Sequence, residues 1–174
     1  KQNRIIDVTN SISKSRKTRI IEALVIAILV FTTATIGSRA TIPNIPDWYE
    51  GLIKPSFNPP NWIFGPVWTL LYALMTYAAW RVIGRIDTRR VTIFIASVFI
   101  AQLIFNALWS IVFFGMHNPA YVLIVVVLLE ASVIAMILVF ARYARVAAVT
   151  QLPYAAWVAF ASLLNLSIVL LNPN

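Results

Sequence analysis

The chain alternates long, unbroken apolar stretches with short polar breaks. Five such stretches stand out, at about 20–37, 60–82, 91–113, 119–141 and 150–171. A helix needs roughly 20 apolar residues to cross the hydrocarbon core of a bilayer. Each stretch therefore predicts one span. The breaks at 83–90, 114–118 and 142–149 are short, which predicts antiparallel neighbours. The break at 38–61 is the longest. It holds Pro43, Pro46, Pro55, Pro59 and Pro60, which cannot continue a helix ladder. Within it, Asp47-Trp48-Tyr49-Glu50 has the capping-box form, an acid followed three residues later by Glu. That pattern predicts a short helix over 47–53 presenting Trp48 and Tyr49. Pro59 and Pro60 suit the first turn of the second span, and Pro153 that of the fifth. Pro66 lies deeper and predicts a bend. The expected fold class is an all-α membrane protein: a five-transmembrane-helix bundle with a short helix between helices 1 and 2. Its organisation is a basic N-terminal tail at 1–19 and a transmembrane domain at 20–174.

Composition supports this. Of 174 residues, 60% are apolar and 11% charged, against about 25% charged in a soluble domain. There is no cysteine, so disulfides, thiolate metal sites and cysteine nucleophiles are excluded. His117 is the single histidine, which excludes a histidine metal cluster. No phosphate-binding glycine loop or dinucleotide turn is present. No apolar run precedes the tail, which therefore does not read as a secretory signal.

Charge then adds orientation. The net charge is +8, from 14 Lys and Arg against 6 Asp and Glu. Lys1, Arg4, Lys14, Arg16, Lys17 and Arg19 precede the first span. Arg81, Arg85, Arg89 and Arg90 cluster after the second, and Arg142 and Arg145 follow the fourth. With five spans all of these share one side, leaving only Arg39 and Lys54 on the other. Cytoplasmic loops are enriched in Lys and Arg. The N-terminus and the second and fourth links are thus expected in the cytoplasm or its organellar equivalent. The Pro-rich loop, the 114–118 link and the C-terminus are expected outside. In so apolar a chain the basic surplus points to anionic lipid headgroups, not nucleic acid.

Some polar groups sit at membrane depth. In the third span Gln102, Asn106, Trp109 and Ser110 share one helix face. Tyr154, Trp157, Ala161 and Asn165 form a weaker stripe in the fifth. Trp68, Thr69, Tyr72 and Thr76 do so in the second. Lipid offers an amide no partner, so these faces point into the bundle. Two readings stay open: the polar groups fasten helices together, or with the tryptophans they line a ligand cavity. Glu130 is the one acid near the middle of a span. A carboxyl there is costly, and both a structural pairing and a proton-coupled role fit it.

Four ordered motifs carry a family resemblance. The first is Trp48-Tyr49-x-x-Leu52-x-Lys54-Pro55-x-Phe57-x-Pro59-Pro60-x-Trp62, running into Gly65-Pro66-Val67-Trp68-Thr69-x-x-Tyr72-x-x-Met75. Then come Gln102-x-x-x-Asn106-x-x-Trp109-Ser110, Phe113-Phe114-Gly115, and Pro153-Tyr154-x-x-Trp157-x-x-Phe160-Ala161-x-x-Leu164-Asn165. Over about 20–172 the chain resembles the TspO/MBR family, the tryptophan-rich sensory proteins of bacteria and the mitochondrial translocator proteins. The resemblance implies a five-helix bundle, a homodimer, and an intrabundle pocket roofed by the loop after the first helix. It also implies binding of tetrapyrroles such as haem and protoporphyrin IX, and of sterols and benzodiazepine- or isoquinoline-type ligands. Carried over residue by residue, it places Trp48 in the roof and Asn106 and Trp109 on the pocket face of the third helix. Trp68 and Trp157 match the tryptophans linked to porphyrin binding and its light-dependent breakdown. Tyr121 falls where some members have a ligand-contacting tryptophan. The segment 165–174 lacks the Tyr and Arg of the family's C-terminal cholesterol motif.

The expected function is a membrane receptor or sensor for tetrapyrroles, with a role in their transport or signalling. The ligand-binding set is Trp48, Trp68, Tyr72, Asn106, Trp109, Tyr121, Trp157 and Asn165. No metal and no required cofactor is expected, the porphyrin or haem being a ligand. Membrane lipid, sterol and a second copy are the other expected partners. The alternatives are a light-dependent porphyrin-degrading enzyme using Trp68 and Trp157, and a transporter of small amphiphiles. No acid–base constellation supports enzymatic chemistry beyond that. A bacterial cell membrane is favoured over an organelle membrane.

Overall fold

A computed structural model describes residues 14–173. The expectations for Lys1 and Arg4 of the tail fall outside the described residues. The chain runs α1 (Arg16–Thr41), α2 (Asn61–Ile83), α3 (Arg89–Ser110), α4 (Pro119–Tyr143), the short α5 (Arg145–Val149) and α6 (Leu152–Leu171). Five segments are long and apolar enough to cross a membrane, and no strand occurs among the described residues.

One sequence rule explains the packing. The buried residues of α1 are Ile26, Val30, Thr33 and Gly37. In α4 they are Val122, Val126, Leu129, Val133, Met136 and Phe140. Both sets follow steps of four and three, the seam of helices that cross at shallow angles. Phe99, Gln102, Asn106, Trp109 and Phe113 continue it from α3 into the turn beyond, and Tyr154, Val158, Ala161, Asn165 and Ile168 carry it in α6. The opposite faces are just as apolar. Phe31 is 74% exposed, Ile124 63% and Leu170 70%. In lipid an outward Leu or Ile costs nothing, so hydropathy does not distinguish seam from surface. The seam is marked instead by small and polar residues: Gly37, Gln102, Asn106, Ala161 and Asn165. A Cβ on Gly37 would lie 3.2 Å from Ser110 Oγ, so glycine lets α1 approach α3 closely.

Several boundaries differ from the sequence reading. The first span begins at Arg16, inside the expected tail, because the Ser15 side chain accepts from Thr18 N–H and caps the helix. At its other end no separate helix forms over 47–53. The chain continues from Thr41 through a 3₁₀ turn (Ile42–Asn44) into a π turn (Ile45–Tyr49). Pro43 and Pro46 have no N–H for the carbonyls of Arg39 and Ile42. The ladder therefore shifts register, and Glu50 N–H reaches Ile45 O at 3.1 Å. Pro60 is the N-cap residue of α2, not part of its first turn. Pro66 lies inside α2, which runs unbroken through it. The link expected at 142–149 contains α5.

Both ends of the bundle are fastened. At the end bearing most cations, Arg19 Nη1 donates to Trp80 O at 2.9 Å, and Trp80 Nε1 donates to Arg19 O at 3.0 Å. The guanidinium lies 4.1 Å from the Trp80 ring centre. Lys14 and Arg19 both pair with Glu22. At the other end, Asn172 accepts from Ile53 N–H and donates to Ile53 O, both at 2.9 Å. These two bonds tie the Pro-rich loop to the end of α6.

Candidate functional site

Extending the seam of α2 outward from Leu71 leads to Trp68 and Phe64. Both are only partly buried, because the bundle is not filled there. A cavity of about 420 Å³ occupies that half of the molecule. Its walls are α1 from Ala34 to Thr41 with the turns beyond, α2 from Asn61 to Tyr72, the end of α3 with Phe113 and Phe114, and α6 from Trp157 to Ile168. No residue of α4 lines it. The volume lies within the range of about 300–1,000 Å³ usual for small-molecule sites.

The lining is predominantly aromatic. Trp68 sits 5.8 Å from Trp109 and 5.4 Å from Tyr72, measured between ring centres. Trp109 in turn stacks on Phe113 at 6.3 Å, with planes 8° apart. On α6, Trp157 lies between Phe64 at 5.9 Å and Phe160 at 5.5 Å. Three lining residues hold buried donors with no acceptor among the described residues: Trp109 Nε1, Trp157 Nε1 and Asn165 Nδ2. Buried donors are normally paired, so these three can serve an occupant.

Below the cavity a directed chain of hydrogen bonds crosses three helices. Tyr72 Oη donates to Asn106 Oδ1 at 2.9 Å, and Asn106 Nδ2 donates to Tyr154 Oη at 3.1 Å. Tyr154 Oη then donates to Gln102 Oε1 at 3.0 Å. The proton of Tyr72 is committed to Asn106, so toward the cavity its hydroxyl offers a lone pair. The floor thus presents an acceptor, and the indole and amide groups above it are donors.

The roof is built where α1 runs on. Tyr49 lines the cavity, is 3% exposed, and donates to Asn58 Oδ1 at 2.9 Å. Lys54 Nζ donates to Glu50 O and Leu52 O and lies 4.9 Å from the Tyr49 ring centre. His117 stacks on Trp48 at 4.6 Å, and its Nε2 lies 2.8 Å from Asn44 Oδ1. Asn44 Nδ2 donates to Ala40 O, which leaves Oδ1 to accept, so His117 carries its proton on Nε2. His117 stands in the left-handed region at φ 52°.

Of the eight residues singled out from sequence, Trp68, Tyr72, Trp109, Trp157 and Asn165 line the cavity. Asn106 lies one layer beneath, in the hydrogen-bonded floor. Trp48 packs on Phe113 and Phe114 behind the lining, at 5.2 Å and 6.3 Å. Tyr121 is 63% exposed in the first turn of α4 and is not among the lining residues. Glu130 also lies on α4, outside the lining, with a buried Oε2 that has no partner among the described residues. The α1 wall of Ala34, Gly37, Ser38 and Thr41 was not singled out from sequence. Its signal is a run of small residues at helical spacing.

Comparison with known proteins adds to this geometry. The sequence model of the TspO/MBR family matches residues 24–171. The tryptophan-rich protein TspO of Archaeoglobus fulgidus is 41% identical over 153 residues, covering 86% of this chain and 95% of that protein. The tryptophan-rich sensory protein of Cereibacter sphaeroides is 39% identical, covering 85% and 93%. The human translocator protein is 33% identical, covering 75% and 78%.

Proposed function

The chain belongs to the TspO/MBR family and is a multi-pass membrane protein, and from that premise we propose that it is a receptor for tetrapyrroles such as haem and protoporphyrin IX. The observation that carries the proposal is the cavity walled by Trp68, Trp109 and Trp157. A flat apolar macrocycle is matched by indole faces through stacking and area burial. Its acceptor atoms would meet Trp109 Nε1, Trp157 Nε1 and Asn165 Nδ2, and a pyrrole N–H would meet the Tyr72 lone pair. The names translocator and sensory protein, borne by relatives, support a role in moving the ligand or reporting on it. Sterols and drug-like ligands are further candidates for the same apolar volume.

In this reading Trp68, Tyr72, Trp109, Trp157 and Asn165 contact the ligand, Asn106 positions Tyr72, and Trp48 braces the roof. A homodimer in a bacterial cell membrane belongs to the same proposal. So does a cytoplasmic N-terminus with the C-terminus outside, since Lys14, Arg19 and the arginines of the second and fourth links gather at one end.

The test is a titration of purified protein with protoporphyrin IX in the dark, followed by tryptophan fluorescence. Saturable quenching that weakens in Trp68→Phe and Trp157→Phe is expected. Absence of saturation overturns the reading. A second reading, light-dependent porphyrin breakdown, draws on Trp68 and Trp157 lining one cavity. It predicts a new absorbing product on illumination that is lost in both variants.

A further inference from the structure

We propose that the outer face of α1 holds an acidic phospholipid, its phosphate at Arg39 and one acyl chain along the helix toward Phe31. A second hollow runs along this face. It is lined by Phe31, Ala34, Thr35, Ser38, Arg39 and Ile42. Phe31 to Ile42 spans about 16 Å at 1.5 Å per residue. The hollow is apolar at its deep end, where Phe31 is 74% exposed. Thr35 does not disturb this, because its hydroxyl is spent on Phe31 O at 2.8 Å.

The rim end is different. Sorting cations by loop leaves two, Arg39 and Lys54, on this side of the bundle. Lys54 is committed to two carbonyls and the Tyr49 ring. Arg39 is exposed and, among the described residues, has no ion pair or side-chain hydrogen bond. A guanidinium is a fork of fixed donors that suits phosphate oxygens. The adjacent Ser38 hydroxyl is exposed and likewise without a partner among the described residues, so it can add a further donor. A cation at the rim with an apolar trough below it repeats the layout of a phospholipid, head outward and tail inward. A neutral or zwitterionic lipid would fill the trough but leave Arg39 without net opposite charge.

This hollow also touches the ligand site. Ala34, Ser38 and Ile42 line both it and the cavity. The lipid would therefore lie against the outside of a wall only one helix thick.

The experiment uses the full chain in phosphatidylcholine nanodiscs doped with either phosphatidylglycerol or phosphatidylcholine bearing the same photoreactive acyl chain. Irradiation, digestion and mass spectrometry locate the adducts. Expected is a preference of about fivefold for the phosphatidylglycerol probe on the segment 31–43, the effect of one cation near the headgroups. It should be abolished in Arg39→Gln and retained in Arg39→Lys. Adducts at the basic end of the bundle serve as the internal control, unchanged in both variants, and circular dichroism checks the fold. Equal labelling by the two probes, or labelling unmoved by Arg39→Gln, overturns the proposal as ordinary annular contact. Cross-links from this segment to a second copy in place of lipid also overturn it. None of these outcomes depends on whether a tetrapyrrole binds.

Discussion

At the scale of single residues, Asn106 shows what membrane depth does to a polar group. It joins Tyr72 on α2 to Tyr154 on α6 through both atoms of one amide. Replacing it by Ala removes the acceptor of the Tyr72 proton. A loss of about 1 kcal/mol is expected, since interhelical bonds in membranes average less than the full cost of an orphaned group. Denaturation of Asn106→Ala in micelles checks the figure. Tyr72→Phe should instead weaken ligands that donate a proton and spare those that only accept, measured as a ratio of dissociation constants. The spacing 102, 106, 109, 110 made this face readable from sequence, because lipid forbids an exposed amide. Its partners were not readable. Which tyrosine meets Asn106 depends on helix register, and no local pattern encodes that. Tyr121 illustrates the opposite case, where a position defined by likeness to relatives stands on an exposed face.

At the scale of elements, the five spans were legible because each apolar stretch is long enough to cross a bilayer. Their ends were less so. The capping-box pattern at Asp47 competes with two prolines that delete ladder donors, and the prolines prevail, stretching the helix into 3₁₀ and π turns instead of ending it. The joint between α1 and α2 offers a direct test. A Cβ on Gly84 would occupy the place of the Arg19 guanidinium. Gly84→Ala should therefore displace Arg19 from Trp80 and cost about 1 kcal/mol, the scale of one cation–π interaction. In an Arg19→Ala background the same change should cost nothing. A double-mutant cycle of unfolding free energies reads this coupling, and additivity would show that the two residues act separately.

At the scale of the whole molecule, the seam accounts for both stability and site. Where steps of four and three meet complementary neighbours the bundle is solid, as around Met75, Ala78 and Val133, all unexposed. Where α2 presents Trp68 and Phe64, their rings meet Trp109 and Trp157 only at the cavity wall, and the space beyond is hollow. From sequence the hollow was readable only as one of two alternatives, since large aromatics at seam positions also look like core, yet Trp68, Tyr72, Trp109, Trp157 and Asn165 do line it. The proposed orientation is open to a clean test because the chain has no cysteine. Single cysteines at Arg85 and Ile53 should react with a membrane-impermeant maleimide from opposite sides of sealed vesicles. Labelling from the same side would refute the arrangement.

The roof over the cavity is a prolongation of the first span, braced by Trp48 on His117 and by Asn172 on Ile53, and it is not a detached flap. The slack lies at the flank: Trp62 is 73% exposed, and a Cβ on Gly65 would meet nothing within 4 Å. For the proposed receptor, a ligand that enters through this flank arrives from the bilayer, and the concentration that would govern occupancy is a mole fraction in lipid. Apparent dissociation constants quoted per litre of water should drift upward in proportion to the detergent or lipid added. Expressed per mole of lipid, they should collapse onto one value.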